Sequence, residues 1–224
     1  MTNDAPGASL HPLATMLQLH DSQFPVGAFA YSGGLETYAQ EGMDVHALEG
    51  YLRTQISVGW GCLDLAAWRI AWDDPTRDAL EHLDARVTAS MPVPSLRDAS
   101  RRLGARVRKL ALRLWPHLDE ADLPDGLHQC VTSGAMARHL GVGGREGLFA
   151  FAHANVTSTL AAATRCMPLS PERAQELLVA LAGPLDEAVS GAWCNPEARM
   201  WTSTPGADLA ACHQVRLTTR LFQT

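Results

Sequence analysis

The chain has 224 residues, 46% of them hydrophobic, and a formal net charge of −6 at pH 7. This length and apolar fraction predict one compact domain with a sizeable core, and the negative net charge argues against a nucleic acid as the main partner. Alanine and leucine are abundant, with 34 and 30 residues, whereas valine and isoleucine number 12 and 2. Because good helix formers dominate and β-branched apolar residues are scarce, the composition predicts an all-α fold.

Apolar periodicity and helix-boundary signals predict helices along the whole chain. The predicted helices cover about residues 12–20, 34–40, 44–72, 76–89, 95–114 and 125–139, then a long helix after the glycines at 141–144, a helix from 171 with a kink or break at 183–184, and a last helix at 208–222 with a frayed end. Asp44 is a predicted N-cap, Gly59 and Gly61 predict a bend or a close helix contact, and Ser95 with Asp98 predicts a capping box. The pattern indicates a single-domain helical bundle of about eight to ten helices over residues 10–224, after a flexible tail at residues 1–9.

Cysteine usage and the apolar runs favour the cytoplasm. The five cysteines are scattered and form no C-x-x-C pair, which is typical of buried thiols in a reducing compartment. No secretory signal opens the sequence. The uncharged run at residues 147–164 approaches the length of a membrane span, but its polar side chains and many alanines favour a helix buried within a bundle. We therefore expect a cytoplasmic protein.

No catalytic constellation is visible in the sequence, and we expect no enzymatic activity. The glycine-rich run at 141–147 lacks the Lys-Ser/Thr of a phosphate loop and predicts a helix–helix turn. His128 with Cys130, and Cys212 with His213, are close pairs of residues that often ligate metals. Neither spacing puts both side chains on one helical face, so structural roles are favoured for both pairs.

One face of the predicted helix at 95–114 is strongly basic. Its cationic residues are Arg97, Arg101, Arg102, Arg106, Arg108, Lys109 and Arg113. Nucleic-acid and membrane-binding proteins use such faces. The acidic total charge and the absence of interleaved aromatic residues instead favour a solvated face or a contact with an acidic partner.

Residues 24–36, called the signature segment below, have the most irregular pattern in the chain. Two Phe and one Tyr alternate there with Pro, Gly and Ser in neither a helical nor a strand period. Pro25 fixes its own φ and extends the preceding residue, whereas Gly27, Gly33 and Gly34 permit positive φ or a close backbone approach. On composition alone, a buried structural turn before a helix is an equal alternative to a functional loop.

The C-terminal end is unusual in a different way. Arg220, Leu221 and Phe222 form an amphipathic tip with an aromatic residue close to the end of the chain. Free termini usually fray, so an apolar tip needs a place to be buried. Docking on this chain and docking in a partner groove are both open.

The signature segment resembles the N-terminal signature of the UreF family of urease accessory proteins, which reads close to F-P-V-G-A-F-S-x-S-x-G-L-E. The matching residues are Phe24, Pro25, Val26, Gly27, Ala28, Phe29, Ser32, Gly34, Leu35 and Glu36, and Ala30 replaces the usual Ser. The resemblance continues through residues 128–169 and at the extreme C-terminus, where the family ends in R-L-F-R-S. The chain departs from the family at residues 212–215, which usually read like M-R-H-E, and at 169–171, where Leu-Gly-Gln is common.

This resemblance implies an all-α protein without chemistry of its own that acts in the maturation of nickel-dependent urease. The implied partners are a UreD-type (also called UreH-type) accessory protein, a UreG-type GTPase and urease apoprotein, and the complex couples GTP hydrolysis to nickel insertion. A homodimer is typical of the family. The residues implied in partner binding are Phe24, Pro25, Gly27, Phe29, Tyr31, Ser32, Gly34, Leu35, Glu36, Arg220, Leu221 and Phe222. We expect no cofactor, no nucleic acid and no membrane, and only weak nickel binding, at Cys212 or His213 near a symmetric interface.

Two other classes of function stay open on the residues alone. A small-molecule-binding protein would use a pocket between helices, with apolar walls supplied by Trp60, Trp68 and Phe151. A nucleic-acid-binding regulator would use the basic face of the helix at 95–114.

Overall fold

The computed structural model describes residues 12–21 and 23–223, which form helices joined by short loops. The α-helices are α1 (Pro12–Leu19), α2 (Leu35–Gln40), α3 (Val45–Val58), α4 (Trp60–Asp73), α5 (Arg77–Ser90), α6 (Pro94–Leu114), α7 (Gln129–His139), α8 (Gly144–Cys166), α9 (Pro171–Ala180), α10 (Ala182–Cys194) and α11 (Pro205–Gln214). Short 3-10 turns occur at Ala28–Ala30 and Glu197–Arg199. No strand occurs among the described residues, and the predicted all-α helical bundle is confirmed. The predicted flexible tail at residues 1–9 lies outside the described residues.

Helix α4 lies at the centre of the bundle, where it contacts α3, α5, α7, α8 and α10. Its Leu65 and Trp68 side chains are fully buried. Helix α7 packs closely against it because Gly134 has no side chain, and a Cβ at that position would overlap the carbonyl oxygen of Trp68. As a result, every residue of α7 from Cys130 to Ala137 is buried.

Helix α8 confirms the interpretation of the uncharged run as a core helix. Its Leu148, Phe151, Ala152 and Val156 side chains are buried within the bundle. Within residues 12–21 and 23–223, no single helix is both long and apolar enough to cross a membrane. Helices α9 and α10 would together meet the length and composition of a span, but they are bent by 48° at their junction.

Several predicted helix boundaries are confirmed. The Asp44 side chain caps α3, since its Oδ1 accepts a hydrogen bond from the Ala47 N–H at 2.7 Å. Helices α3 and α4 separate at Gly59, at the predicted bend. Helix α9 begins after Ser170, whose Oγ accepts from the Arg173 N–H at 3.1 Å.

The predicted capping box at Ser95 and Asp98 was wrong. Helix α6 begins at Pro94, with Val93 as the N-cap residue. Proline has a fixed φ near the helical value and no N–H to leave unsatisfied, so it fits the first helical position. The helix therefore starts one residue before Ser95, whose hydroxyl has no hydrogen-bond partner.

The predicted start of a helix at Asp125 was also wrong, because α7 begins at Gln129. Gly126 has a φ of 78° and turns the chain before the helix. The His128 N–H then donates to Asp84 Oδ1 on α5 at 2.6 Å. A distant carboxyl group thus satisfies a donor at the start of this helix, and local sequence patterns do not reveal such a partner.

A third predicted boundary, the end of the last helix at Phe222, was wrong as well. Helix α11 ends at Gln214, and the chain continues without regular structure to Gln223. The backbone N–H groups of Leu221 and Phe222 donate to a side chain near the N-terminus instead of to helical carbonyls. Long-range bonding therefore replaces the helix at this end.

The close packing of α7 on α4 gives a stability test. We expect Gly134→Ala to lower the free energy of unfolding by about 1–3 kcal/mol, because the new Cβ would overlap backbone that cannot move alone. Gly50 lies in the exposed middle of α3, where an added Cβ meets no atom within 4 Å. Gly50→Ala should therefore leave stability unchanged or raise it by up to about 1 kcal/mol. Urea denaturation of both variants measures the difference, and equal stabilities would contradict this packing.

Candidate functional site

Positive backbone φ angles shape the signature segment. Gly27, Gly33 and Gly34 have φ values of 78°, 62° and 93°, which L-residues with a Cβ rarely adopt. Gly34 also packs against α11, where a Cβ would lie 2.7 Å from the Ala211 backbone nitrogen. At Gly33, by contrast, a Cβ would meet no atom within 4 Å. The expectation that Gly27 and Gly34 occupy positions unsuited to a side chain is confirmed.

The first half of the segment is anchored on the helical body. Phe24 and Val26 are buried in the core, whereas Pro25 is exposed. The Val26 carbonyl accepts a hydrogen bond from the Arg106 guanidinium of α6 at 3.2 Å. Tyr31 is partly buried against the same core. Nothing is described for the side chain of Phe29.

Gln214, the last residue of α11, joins the second half of the segment to the C-terminal part of the chain. Its side-chain amide donates to Ser32 Oγ at 2.9 Å and to Glu36 Oε2 at 3.0 Å. Its amide oxygen accepts from the Gly34 N–H at 3.1 Å. Both the donor and the acceptor of this fully buried amide are thus satisfied by residues about 180 positions earlier. The sequence singled out Gln214 only as a departure from the family pattern, and periodicity gives no signal for its role.

Glu36, an acidic residue of the signature segment, is almost completely buried, with an exposed fraction of 1%. Its Oε1 accepts from the Leu221 N–H at 2.6 Å, and its Oε2 accepts from the Phe222 N–H at 3.3 Å. A further backbone bond runs from the Gln223 N–H to the Ala30 carbonyl at 2.8 Å. These bonds hold residues 215–223, called the C-terminal tail below, against the signature segment.

Side-chain packing reinforces the attachment of the tail. Phe222 has an exposed fraction of 4%, and the Arg165 guanidinium carbon of α8 lies 4.6 Å from its ring centroid. The neighbouring Leu221 points outward, with 56% of its surface exposed. Arg220 is exposed as well. Of the two alternatives for the apolar tip, the structure therefore shows docking of Phe222 on its own chain, while Leu221 stays available on the surface.

The residues predicted for partner binding lie in the signature segment and the tail, which are in contact, but some of them are buried and others are exposed. Phe24, Gly27, Ser32, Gly34, Leu35, Glu36 and Phe222 are buried, whereas Pro25, Arg220 and Leu221 are exposed. The buried group cannot touch a partner without rearrangement. Within the buried group Glu36 holds the tail, and the exposed group lies on or beside the surface that results. A partner-binding role for this set stays a prediction.

The candidate metal residues, Cys212 and His213, are not joined by a third ligating side chain among the described residues. Cys212 and His213 are exposed on α11. Among residues 12–21 and 23–223, no group of three or more His, Cys, Asp or Glu side chains is placed to hold a metal ion. His128 is fully buried, and its Nε2 lies 3.0 Å from Thr88 Oγ1. Burial raises the pKa of the Cys130 thiol well above its usual value, as expected for a structural cysteine.

Much of the basic face of α6 is directed at the protein itself. The Arg97 guanidinium donates to the Met91 carbonyl at 2.7 Å, and the Arg101 guanidinium donates to Asp84 Oδ2 at 2.6 Å. Arg106 bonds to the signature segment and Arg108 bonds to the Leu123 carbonyl. Only part of the face, including Arg102 and Lys109, is therefore directed at solvent. This arrangement favours a structural role over binding to the phosphates of nucleic acid.

The bonds of Glu36 to the tail can be tested by proteolysis. In Glu36→Gln the new amide NH₂ replaces one acceptor oxygen and faces a backbone N–H, so at least one buried bond is lost. A hydrogen bond to a charged group contributes about 1.5–3 kcal/mol, so we expect trypsin to cleave after Arg216 and Arg220 roughly ten times faster or more. The exposed Glu41 supplies the control variant Glu41→Gln. Mass spectrometry follows the cleavage of the wild type and both variants. Equal cleavage rates in the three proteins would show that Glu36 does not hold the tail.

Gly34 and Gly33 form a matched pair for a second test. Both have positive φ, so Gly→Ala costs on the order of 1 kcal/mol at either position. Only at Gly34 would the added Cβ also press on the backbone of α11. We therefore expect Gly34→Ala to lower the melting temperature clearly more than Gly33→Ala, while Ala30→Ser, the residue usual in the family, has little effect. Equal losses at the two glycines would remove the packing explanation.

Comparison with known proteins identifies the family. The family model described as UreF matches residues 43–182, more than half of the chain. A urease accessory protein UreF from Bacillus sp. (strain TB-90) is 29% identical over 226 residues, covering 95% of this chain and 99% of the relative. The UreF of Actinobacillus pleuropneumoniae serotype 5b (strain L20) is 29% identical over 94% of this chain and 98% of its own length, and that of Haemophilus influenzae (strain 86-028NP) is 27% identical over 96% of both. The chain therefore belongs to the UreF family of urease accessory proteins.

Proposed function

We propose that this protein acts in the cytoplasm as a binding component of the machinery that assembles the nickel centre of urease. In this proposal it forms a complex with a UreD/UreH-type protein and a UreG-type GTPase, and the complex docks on urease apoprotein. Membership of the UreF family supports this role, because its members are accessory proteins. The observation that carries the proposal is the attachment of the C-terminal tail to the signature segment, which leaves Leu221 outward.

The internal bonding of the signature segment favours binding over catalysis. The Ser32 hydroxyl, the Gln214 amide and the Glu36 carboxyl group bond to one another and to backbone N–H groups. A nucleophile activated for chemistry would instead sit beside a base with access to substrate. The polar groups here fix the shape of a surface, and we take the protein to be an adaptor without enzymatic activity.

The proposed partner surface consists of the exposed part of α11 and the tail. Leu209, Val215 and Leu221 are large apolar side chains with more than half of their surface exposed. Contiguous exposed apolar surface is typical of a face that another protein covers, and in this proposal the three side chains contribute to such a face. The buried signature residues would then contribute indirectly, because they set the position of Leu221.

The same region is our candidate for contact between two copies of the chain. A two-fold symmetric dimer duplicates each exposed side chain across its axis. Cys212 and His213 on α11 supply only two ligands in one chain, and a second copy would double that set. We therefore propose that the single domain of residues 10–224 forms a homodimer. Nickel is then the cargo of the complex, and any weak nickel site lies at Cys212 and His213.

Co-purification tests the proposed partner surface. We expect Leu221→Asp to weaken binding to the UreD-type protein at least tenfold, because a charge replaces an apolar contact at the proposed interface. Deleting residues 216–224 should abolish binding. Leu114→Asp, at a similarly exposed leucine on α6, is the control and should bind like the wild type.

Circular dichroism must show native helix content in each variant, which separates loss of binding from loss of folding. Wild-type affinity in a folded Leu221→Asp protein would contradict the proposed surface. Loss of binding in Leu114→Asp to the same extent would show that the effect is not specific to the tail.

A further inference from the structure

A cavity of about 400 Å³ lies beneath the signature segment. It is lined by the end of α1, the signature segment, α3, α4, α6, α7, α8 and α11. Most of its walls are apolar, and they include Phe24, Val26, Leu63, Leu103, Met136 and Phe151. The volume falls within the range of about 300–1,000 Å³ that is usual for small-molecule sites. Trp60 and Phe151 of the predicted pocket line it, whereas Trp68 is not among its lining residues.

Asp64 of α4 is the unusual polar group in this wall. Its Oδ1 is buried and has no hydrogen-bond partner among residues 12–21 and 23–223. Burial raises the pKa of the Asp64 carboxyl to about 7. Arg165, the cationic side chain in the lining, stacks on the Phe222 ring. Burial in a mainly apolar cavity is thus what disfavours the ionised form of the Asp64 carboxyl group.

The same cavity also contains an unsatisfied hydrogen-bond donor. The side-chain Nδ2 of Asn155 on α8 is a buried donor that finds no partner in the described part of the chain. A buried polar atom without a hydrogen bond costs about 1–3 kcal/mol. The cavity thus combines one unused acceptor and one unused donor with apolar walls, which is the usual composition of a site that orients a small organic molecule.

A metal ion does not fit this set of groups. No cluster of three ligating side chains occurs within the described part of the chain, and one carboxyl group with apolar neighbours offers too few donor atoms for a divalent ion. We propose that the cavity binds a small organic amine, whose ammonium group pairs with Asp64, whose acceptor atom receives the Asn155 N–H, and whose apolar body fills the remaining space. This proposal does not depend on the urease-related function.

Asp64 shares the lining of the cavity with several other titratable groups. Burial lowers the pKa of His20 to about 4, so the imidazole is neutral there. Burial raises the pKa of Tyr51, which stays protonated. Asp21, Tyr31, Arg165 and Asp208 complete the titratable lining, and burial raises the pKa of the Asp208 carboxyl. On α7, the Asp64 charge helps to raise the pKa of the nearby Cys130 thiol.

The sign of the pH effect follows from the raised pKa. Below pH 7 the Asp64 carboxyl is increasingly protonated and no longer attracts a cation, whereas an alkylamine stays protonated up to about pH 10. Affinity for the amine should therefore rise as the pH increases from 6 to 8. Without a ligand, the Asp64 carboxyl group binds more protons in the folded state than in the unfolded state between about pH 4 and 7. Asp64 therefore lowers the free energy of unfolding as the pH rises through that interval.

Calorimetric titration of the full chain with 2-phenylethylamine and with its neutral analogue 2-phenylethanol tests the proposal. At pH 8 we expect saturable binding of the amine that is at least ten times tighter than that of the alcohol. Asp64→Asn keeps the size of the side chain but removes its charge, so this preference should disappear. The exposed Asp98 supplies the control variant Asp98→Asn, which should keep the preference. Wild-type affinity for the amine should fall about tenfold from pH 8 to pH 6.

Three results would overturn the proposal. They are equal affinity for the amine and the alcohol, no saturable binding of either compound by the wild-type protein, and an undiminished preference in Asp64→Asn. Because Asp64→Asn removes an unfavourable buried charge without changing volume, we expect this variant to fold. Circular dichroism and the melting temperature of the free proteins verify this.

Discussion

The Glu36 carboxyl group is the contact on which the proposed partner surface depends. Its two oxygens accept hydrogen bonds from Leu221, Phe222 and Gln214, which lie about 180 residues later in the chain. Removing a carboxyl group from water is strongly unfavourable unless hydrogen bonds replace the lost hydration. Burial of Glu36 and docking of the tail therefore require each other. A tail that detaches leaves the Glu36 carboxyl group without its two backbone donors, and a segment without Glu36 has no acceptor for the Leu221 and Phe222 N–H groups.

Other features of the signature segment accompany this contact. Gly34 lets the backbone approach α11 closely enough for Gln214 to reach Ser32 and Glu36. Phe222 fills the remaining space beside Arg165 and so turns Leu221 to the surface. Phe24 and Val26 line the cavity that contains Asp64. The signature segment thus borders both the outer surface proposed for protein partners and the inner cavity proposed for a small amine.

The sequence predicted helices well and long-range contacts poorly. The periodicity and the cap at Asp44 act within one helical turn, and the helices that they predict are present. The errors at Asp125 and at the end of α11 have one cause. There, side chains distant in sequence, Asp84 and Glu36, accept backbone N–H groups, and no local pattern reports this.

The candidate site was predictable in part for the same reason. The glycines of the signature segment signalled unusual backbone, and the apolar tip signalled a need for burial, because both are properties of adjacent residues. That the tip docks on the signature segment could not be derived, since it depends on the three-dimensional path of the whole chain. Gln214 and Asp64 were missed because a single polar residue in a helix carries no pattern. The resemblance to UreF indicated the importance of residues 24–36, but the contacts explain it.

Hydrogen–deuterium exchange of the wild-type protein tests the central claim most directly. The account predicts that the amides of Leu221 and Phe222 exchange slowly, at rates comparable to those of amides in α11, because both donate to a buried carboxyl group and open only when the tail detaches. The exposed residues of the tail that lack such bonds should exchange faster. Exchange of the Leu221 and Phe222 amides at the rate of an unstructured peptide would contradict the account, since the tail would then not be held by Glu36.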